Sequence, residues 1–232
     1  QTCALPISQV STAHLVSHLH IMAVPAMLPL LPTAMQVSFV ELGIAIGVFN
    51  IVSALVQAPL GFLVDRAGAR RMLLAALALG SLSFSLLAIF PTYLCLLVAM
   101  GLAGLANGVY HPADYSLLSR GIVPERMGRA FSIHTFAGFL GAALAPPLMV
   151  GAALAWEPRW SFAIAAGAGL VGLFVVGLGS PEPAKAASPT ATEKAKVRAR
   201  PLTTPLGTLA VLTLLFAMLS LSTGAIEKFS VS

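Results

Sequence analysis

The feature that most constrains this sequence is a series of long apolar segments separated by short charged ones. Only 9% of the 232 residues are charged and 58% are apolar, whereas a soluble domain has about 25% charged residues. A helix crosses a hydrocarbon core of about 30 Å with roughly 20 apolar residues, and lipid offers no partner for unpaired backbone groups. The sequence therefore predicts an all-α, polytopic membrane helix bundle. The net charge of +5 is a topology signal, not a sign of nucleic-acid binding.

The apolar segments predict six transmembrane spans and the start of a seventh. The spans cover about residues 12–34, 40–64, 72–90, 93–118, 130–153, 160–178 and 206–226. Four regions follow: an N-terminal leader that need not be native (1–11), a six-helix half (12–179), a flexible Pro-, Ala- and Lys-rich linker (180–205) and the start of a second half (206–232).

The positive charges predict the orientation of the bundle. They fall on alternate loops, in the group Arg66, Arg70 and Arg71, in the group Arg120, Arg126 and Arg129, and in the linker. Only Arg159 lies in an opposite loop. By the positive-inside rule, the N-terminus and the linker are cytoplasmic and the protein is expected in the inner membrane.

The segment between the second and third spans, GFLVDRAGARR, is the charged hinge (residues 61–71). Its pattern G-x-x-x-D-R-x-G-x-R-R is formed by Gly61, Asp65, Arg66, Gly68, Arg70 and Arg71. Glycines allow a tight turn, and a carboxylate among arginines can form charge-assisted bonds at the membrane surface. The pattern resembles the signature loop of the major facilitator superfamily, which implies a conformational latch. The alternative is an ordinary positive-inside anchor.

Polar residues inside the spans are the candidate functional site, because ionisable groups are costly in lipid. They are His18, Asn50, Gln57, Asn107, His111, Asp114 and His134. At about 1.5 Å per residue, most of them are expected at one depth, which predicts that spans one, two, four and five converge there.

His111 and Asp114 lie three residues apart on one helix face. Such a pair can hold and release a proton near neutral pH, so we expect the site to take part in proton coupling or to bind a polar substrate group. Alternatively, the pair only packs two spans together. His14 and His20 are expected near the membrane interface, where polar residues need no special function.

A metal site is a weaker alternative. His14 and His18 have a legitimate ligand spacing, and His111, His134 and Asp114 could complete a zinc shell. The sequence has no H-E-x-x-H motif. No metal, no cofactor and no enzymatic activity are therefore predicted.

Small residues and prolines in the fourth and fifth spans predict close helix packing. They are Gly104, Gly108, Gly138, Gly141 and Pro146. Met100 stands where the resembled family often has an arginine in its fourth helix, and Ala145-Pro146 stands where its antiporters often have Gly-Pro.

Three further stretches resemble the fosmidomycin-resistance-like and related drug-efflux branch: HLVSHLHIMAVPAMLPLLP, GVYHPADYSLLSRG and GRAFSIHTFAGFLGAALAPPL. The resemblance implies a secondary transporter that works by alternating access, with proton-coupled efflux of a small-molecule substrate. Its partners would be substrate, protons and the lipid bilayer, with no nucleic acid, and a second half would complete the cavity. The alternatives are uptake of an organic acid or sugar by symport, and a His-rich membrane metalloenzyme or sensor.

Overall fold

The computed structural model describes residues 7–179 and, beyond them, the helical positions Gly207, Thr208, Val211, Leu214, Leu215 and Met218. The chain divides into two units, Gln1–Pro183 and Ala184–Ser232. The first contains α1 (Ile7–Ala26), α2 (Leu31–Met35), α3 (Phe39–Ala67), α4 (Ala69–Ile89), α5 (Tyr93–Gly121), a 3-10 turn (Pro124–Arg126), α6 (Met127–Ala155) and α7 (Pro158–Gly177). The predicted linker and most of the predicted seventh span lie outside the described residues.

Five helices of the described part are long and apolar enough to cross a membrane: Phe39–Ala67, Ala69–Ile89, Tyr93–Gly121, Pro124–Ala155 and Pro158–Gly177. They coincide with the second to sixth predicted spans. The 20-residue helix α1 is not among them, because its three histidines, its glutamine and its hydroxyl residues lower its hydropathy. Half of these polar side chains, Ser11, His14, Ser17 and His20, are buried inside the bundle, where α1 contacts α6, α7 and α5.

The first predicted span consists of two helices instead of one. α1 begins at Ile7, five residues before the predicted start, and ends at Ala26. A turn precedes α2, and Pro29 lies in this turn. Proline has no N–H and its ring clashes with the preceding turn of a helix, so the prolines break the segment that the sequence predicted as one span.

Local interactions explain where α3 begins and ends. At its start, the Ser38 hydroxyl accepts a hydrogen bond from the Glu41 backbone at 3.2 Å, and the Glu41 carboxylate accepts one from the Ser38 N–H at 2.7 Å. This capping box satisfies N–H groups that have no partner within the helix. At its end, Gly68 has a φ of 98° and is the only residue between α3 and α4. Glycine adopts this conformation without steric cost.

The helices form two triplets, α1–α3–α4 and α5–α6–α7, which pack on each other in a reciprocal pattern. α1 packs on α6 as α5 packs on α3, α4 contacts α5 as α7 contacts α1, and α4 packs on α7. Exchange of the triplets thus maps the main contacts onto one another. This is the pattern that a repeat of three plus three helices related by a two-fold axis produces.

Glycines lie at the two reciprocal contacts. A Cβ on Gly104 would lie 2.6 Å from the Phe49 carbonyl oxygen, and one on Gly108 would lie 2.6 Å from Val56 Cγ2, so α5 approaches α3 closely. Gly141 of α6 is in direct contact with the backbone of α1. Pro146 is half-buried in α6. Small residues at such contacts let helix backbones approach each other in the membrane.

Candidate functional site

Three buried side chains meet where α1, α5 and α6 come together, and we call them the His–Asp cluster: His14, Asp114 and His134. Asp114 Oδ2 lies 3.5 Å from His14 Nδ1 and 3.8 Å from His134 Nε2. The two imidazole rings stack, with 3.8 Å between their centroids and 20° between their planes. Asp114 is fully buried, and the histidines are exposed by only 5% and 2%. A carboxylate thus lies in the protein interior with an imidazole from each of two other helices beside it.

Two further histidines surround this cluster on its more accessible side. The ring of His18 lies 4.5 Å from that of His14, and the ring of His111 lies 5.4 Å from it, both edge to face. Both side chains are only partly buried. The ring of Tyr115, which is 48% exposed, lies 5.8 Å from His111 and 6.0 Å from His134. The histidines therefore form two layers, one sealed and one accessible.

A glycine of α6 makes room for the cluster. A Cβ on Gly138 would lie 2.6 Å from His14 Nε2 and 3.1 Å from His18 Cδ2. These two histidines are one helical turn apart and so share a face of α1. The absence of a side chain at residue 138 is what allows this face to meet α6.

The structure brings four of the seven predicted cavity residues together, namely His18, His111, Asp114 and His134. Within the described chain, Asp114 Oδ2 lies 3.5 Å from His14 and 3.8 Å from His134, which belong to other helices. Depth predicted that spans one, two, four and five converge, and the cluster joins the first, fourth and fifth spans. The pairing within it depends on the rotation of each helix about its axis.

The other three predicted cavity residues lie along α3 and its contact with α5. Asn50 and Gln57 are exposed side chains of α3. Asn107 Nδ2 donates a 2.8 Å hydrogen bond to Ser53 Oγ, which joins α5 to α3. Asn107 thus has a partner that belongs to helix packing, while Asn50 and Gln57 lie on the surface of this unit.

His20 lies apart from the cluster and has a packing environment. Its Nε2 donates to the carbonyl oxygen of Ala165 at 2.9 Å, and its ring lies 4.8 Å from that of Phe84. Gly80 and Gly169 provide the space, since a Cβ on either would lie within 3.1 Å of the imidazole. His20 therefore links α1 to α7.

The charged hinge contacts other parts of the bundle, and two of these contacts define its position in the described residues. Arg70 Nη2 donates to the carbonyl oxygens of Val176, Gly177 and Gly179 at 3.0, 2.9 and 2.8 Å. These oxygens lie at the end of α7, where helix carbonyls have no partner in their own helix and a positive charge is favoured. Arg70 thus caps α7.

The second contact of the hinge joins α3 to α5. Asp65 Oδ1 lies 3.5 Å from Arg120 Nη2, and the carboxylate is largely exposed. Gly61 lies inside α3, where a Cβ would be 3.9 Å from Pro112 Cβ. Arg66 and Arg71 are exposed.

The sequence interpretation expected His14 near the membrane interface and considered it only as a possible metal ligand. In the structure its ring contacts those of His18, His111 and His134, and its Nδ1 lies 3.5 Å from Asp114. Its four-residue spacing from His18 was visible, and in retrospect this spacing is the signal, because both residues share the α1 face that meets α6. The α7 cap by Arg70 was missed, since nothing local in the sequence connects residues separated by 106 positions.

The cluster can bind a cation. His14, Asp114 and His134 each offer one ligand atom, and these atoms all lie within 4.8 Å of one another. A carboxylate with two imidazoles can hold protons or coordinate a metal ion. An uncompensated charge in a membrane interior is costly, so such groups mark functional sites there.

Comparison with known proteins agrees with this architecture. The family model described as Major Facilitator Superfamily matches residues 10–230. Among curated relatives, the chain is 30% identical over 123 residues to the uncharacterized MFS-type transporter YfnC of Bacillus subtilis, which is 53% of this chain and 30% of the relative. It is 29% identical over 131 residues to a multidrug resistance protein B homolog of Mycobacterium tuberculosis, 55% of this chain and 24% of the relative.

A third relative is the fosmidomycin resistance protein of Escherichia coli, 27% identical over 139 residues, which is 60% of this chain and 34% of the relative. The matched segments thus span about a quarter to a third of these relatives. The family match covers nearly all of the chain, and the described helices form the all-α membrane bundle that the sequence predicts. This chain belongs to the Major Facilitator Superfamily.

Proposed function

We propose that the complete protein is a secondary transporter that exports a small organic molecule in exchange for protons by alternating access. One observation carries the proposal: the buried His–Asp cluster lies where α1 of the first triplet meets α5 and α6 of the second. In transporters built from such repeats, substrates and coupling ions bind at the interface between repeats near the middle of the membrane. The proposal makes the chain part of a transporter and not of an enzyme.

Efflux is supported by the relatives. Two of them are named for resistance, one to multiple drugs and one to fosmidomycin. Resistance by a membrane transporter is achieved when the compound is moved out of the cell. With a cytoplasmic N-terminus and linker in an inner membrane, as the arginine distribution favours, the exported molecule would enter from the side of the charged hinge.

The accessible polar side chains are the proposed substrate contacts of this half. His18 and His111 are partly exposed beside the sealed cluster, and Asn50 and Gln57 are exposed on α3. Imidazole and amide groups donate and accept hydrogen bonds, so they suit a polar organic molecule. A second half would supply the remaining contacts, since a secondary transporter of this kind binds its substrate between two halves.

Transport by the complete protein in everted membrane vesicles tests the proposal, with fosmidomycin as the first probe. We expect accumulation when the vesicle interior is acidified, and loss of accumulation when a protonophore collapses the pH gradient. Vesicles that lack the protein give the background. Movement of fosmidomycin in the same direction as the protons would favour the symporter. Movement that does not depend on the pH gradient would contradict proton coupling.

A pair of variants tests the proposed substrate contact. His111→Asn is expected to raise the KM for the transported probe several-fold, because an accessible hydrogen-bonding group is altered. Ser119→Ala is the matched control, since Ser119 lies on the same helix and, among the described residues, its hydroxyl donates to the Ser116 carbonyl at 3.1 Å. Equal KM values in both variants would remove His111 from the substrate site.

A further inference from the structure

The His–Asp cluster has the composition and spacing of a metal centre, a property that nothing in the transport proposal requires. One ligand atom from each of α1, α5 and α6 lies within 4.8 Å of the other two. Two of the ligands are imidazole nitrogens and one is a carboxylate oxygen. His14 is 100 residues from Asp114, and Asp114 is 20 residues from His134. Tertiary packing therefore brings the three ligands together.

The polar atoms of the cluster have no other use in the described structure. Both carboxylate oxygens of Asp114, Nδ1 of His14 and both ring nitrogens of His134 are buried and have no hydrogen-bond partner within the described residues. The 3.5 and 3.8 Å separations from Asp114 to the two histidines are too long for good hydrogen bonds. Buried polar groups normally have hydrogen-bond partners. Several unpartnered lone pairs at one point are what a metal ion binds.

We propose that His14, Asp114 and His134 bind one divalent transition-metal cation of the zinc class. Tetrahedral zinc has metal–nitrogen and metal–oxygen distances of about 2.0–2.2 Å, which place the ligand atoms about 3.3–3.5 Å apart. The 3.5 Å separation of Asp114 Oδ2 and His14 Nδ1 already meets this value, and the 3.8 Å separation to His134 Nε2 exceeds it slightly. Coordination by both histidines also requires one imidazole to turn, because the two rings stack with 20° between their planes and so direct their nitrogens along nearly parallel planes.

The donor set selects the class of metal. Two imidazoles with one carboxylate suit zinc and the neighbouring ions of the first transition series. Calcium and magnesium prefer sites built from oxygen ligands alone. A fourth position is left for water or for a nearby imidazole, because the rings of His18 and His111 lie 4.5 and 5.4 Å from that of His14.

Bound metal would link the two triplets through α1, α5 and α6. A metal held here would compete with protons for the same nitrogen and carboxylate atoms, since ligands must be deprotonated to bind it. The inference does not depend on the direction or the substrate of transport. It concerns binding alone, so it is tested by binding.

Metal binding to the complete protein, purified in detergent and stripped with a chelator, tests the inference. The probes are Zn²⁺, measured as metal content per chain, and Co²⁺, whose visible absorption reports tetrahedral coordination. We expect one ion per chain at saturation. His14→Gln, His134→Gln and Asp114→Asn should each weaken binding by about tenfold or more, because even outer-shell changes at metal sites cost about 10- to 100-fold.

His20→Gln is the matched control. Its residue is also a buried histidine of α1, but it contacts the Ala165 carbonyl, and glutamine retains a donor for this bond. We expect this variant to bind metal as the parent protein does. Elution profile and thermal denaturation verify that each variant is folded, and the isosteric Asp114→Asn remains informative if a histidine variant is not.

The inference is overturned if the parent protein binds no stoichiometric Zn²⁺. It is also overturned if the Asp114→Asn variant binds Zn²⁺ with the affinity of the parent protein. It is equally overturned if His20→Gln weakens binding as much as His14→Gln does. Failure of transport in the vesicle assay, with metal binding intact, would contradict the proposed function and leave the metal site standing.

Discussion

The close contact of α6 with α1 leads to a ranked prediction for alanine substitutions on a single helix. A Cβ on residue 141 would collide with the Leu15 carbonyl oxygen and lie 3.1 Å from Leu15 Cα. Backbone atoms cannot rotate away, so α1 itself would have to shift. Overpacking costs about 1–3 kcal/mol, and alanine recovers about 0.8–1.0 kcal/mol over glycine in a helix. With the upper end for a backbone collision, Gly141→Ala should lower the free energy of unfolding by about 2 kcal/mol.

Two other substitutions on α6 provide the comparison. Gly138→Ala would place its Cβ 2.6 Å from His14 Nε2, the end of a side chain that can turn, so we expect a smaller loss than at residue 141. A Cβ on Gly151 would have no atom within 4 Å, so Gly151→Ala should be neutral or stabilising by up to about 1 kcal/mol. Unfolding of the three variants in the same detergent measures the order. If Gly141→Ala is as stable as Gly151→Ala, the close helix contact is refuted.

Two predictions concern the charged hinge. Arg70→Gln removes the charged donor from the end of α7 and should lower the free energy of unfolding by about 1–3 kcal/mol, whereas the exposed Arg71→Gln should change it little; equal losses in the unfolding assay would contradict the cap. Asp65→Asn weakens the contact with Arg120, which lies six residues beyond Asp114 on α5, and should slow transport with substrate affinity unchanged. A flux assay on the complete transporter that shows lost affinity would contradict the latch.

The fold class could be predicted from sequence because lipid permits few solutions. Apolar segments of about 20 residues must be helical in a bilayer. The second to sixth predicted segments coincide with the five membrane-capable helices of the described residues. The first predicted span does not coincide with one such helix, since its prolines break it and several of its polar residues are buried against other helices. Hydropathy shows how much of a helix is polar but not whether a neighbouring helix covers it.

The depth of the site residues was predictable only where the helix ends were right. Counting from residue 12 placed His14 at the end of its span, near the interface. Because α1 begins at Ile7, His14 lies seven residues, or about 10 Å, inside the helix. The pairing of Asp114 with His111 on its own helix has a different origin. The sequence shows neighbours along α5, whereas the packing of α1 and α6 determines the closer partners.

The described polar contacts also indicate which parts of the transporter move together. The His–Asp cluster joins α1 to α5 and α6, Asp65 joins α3 to α5, and Arg70 joins α4 to the end of α7. Each of these contacts crosses from the first triplet to the second, and the glycine contacts of α3 with α5 and of α1 with α6 do the same. A hinge between the triplets would have to break all of them at once. We therefore expect the six-helix half to move as one body, and alternating access to occur by its rocking against the other half.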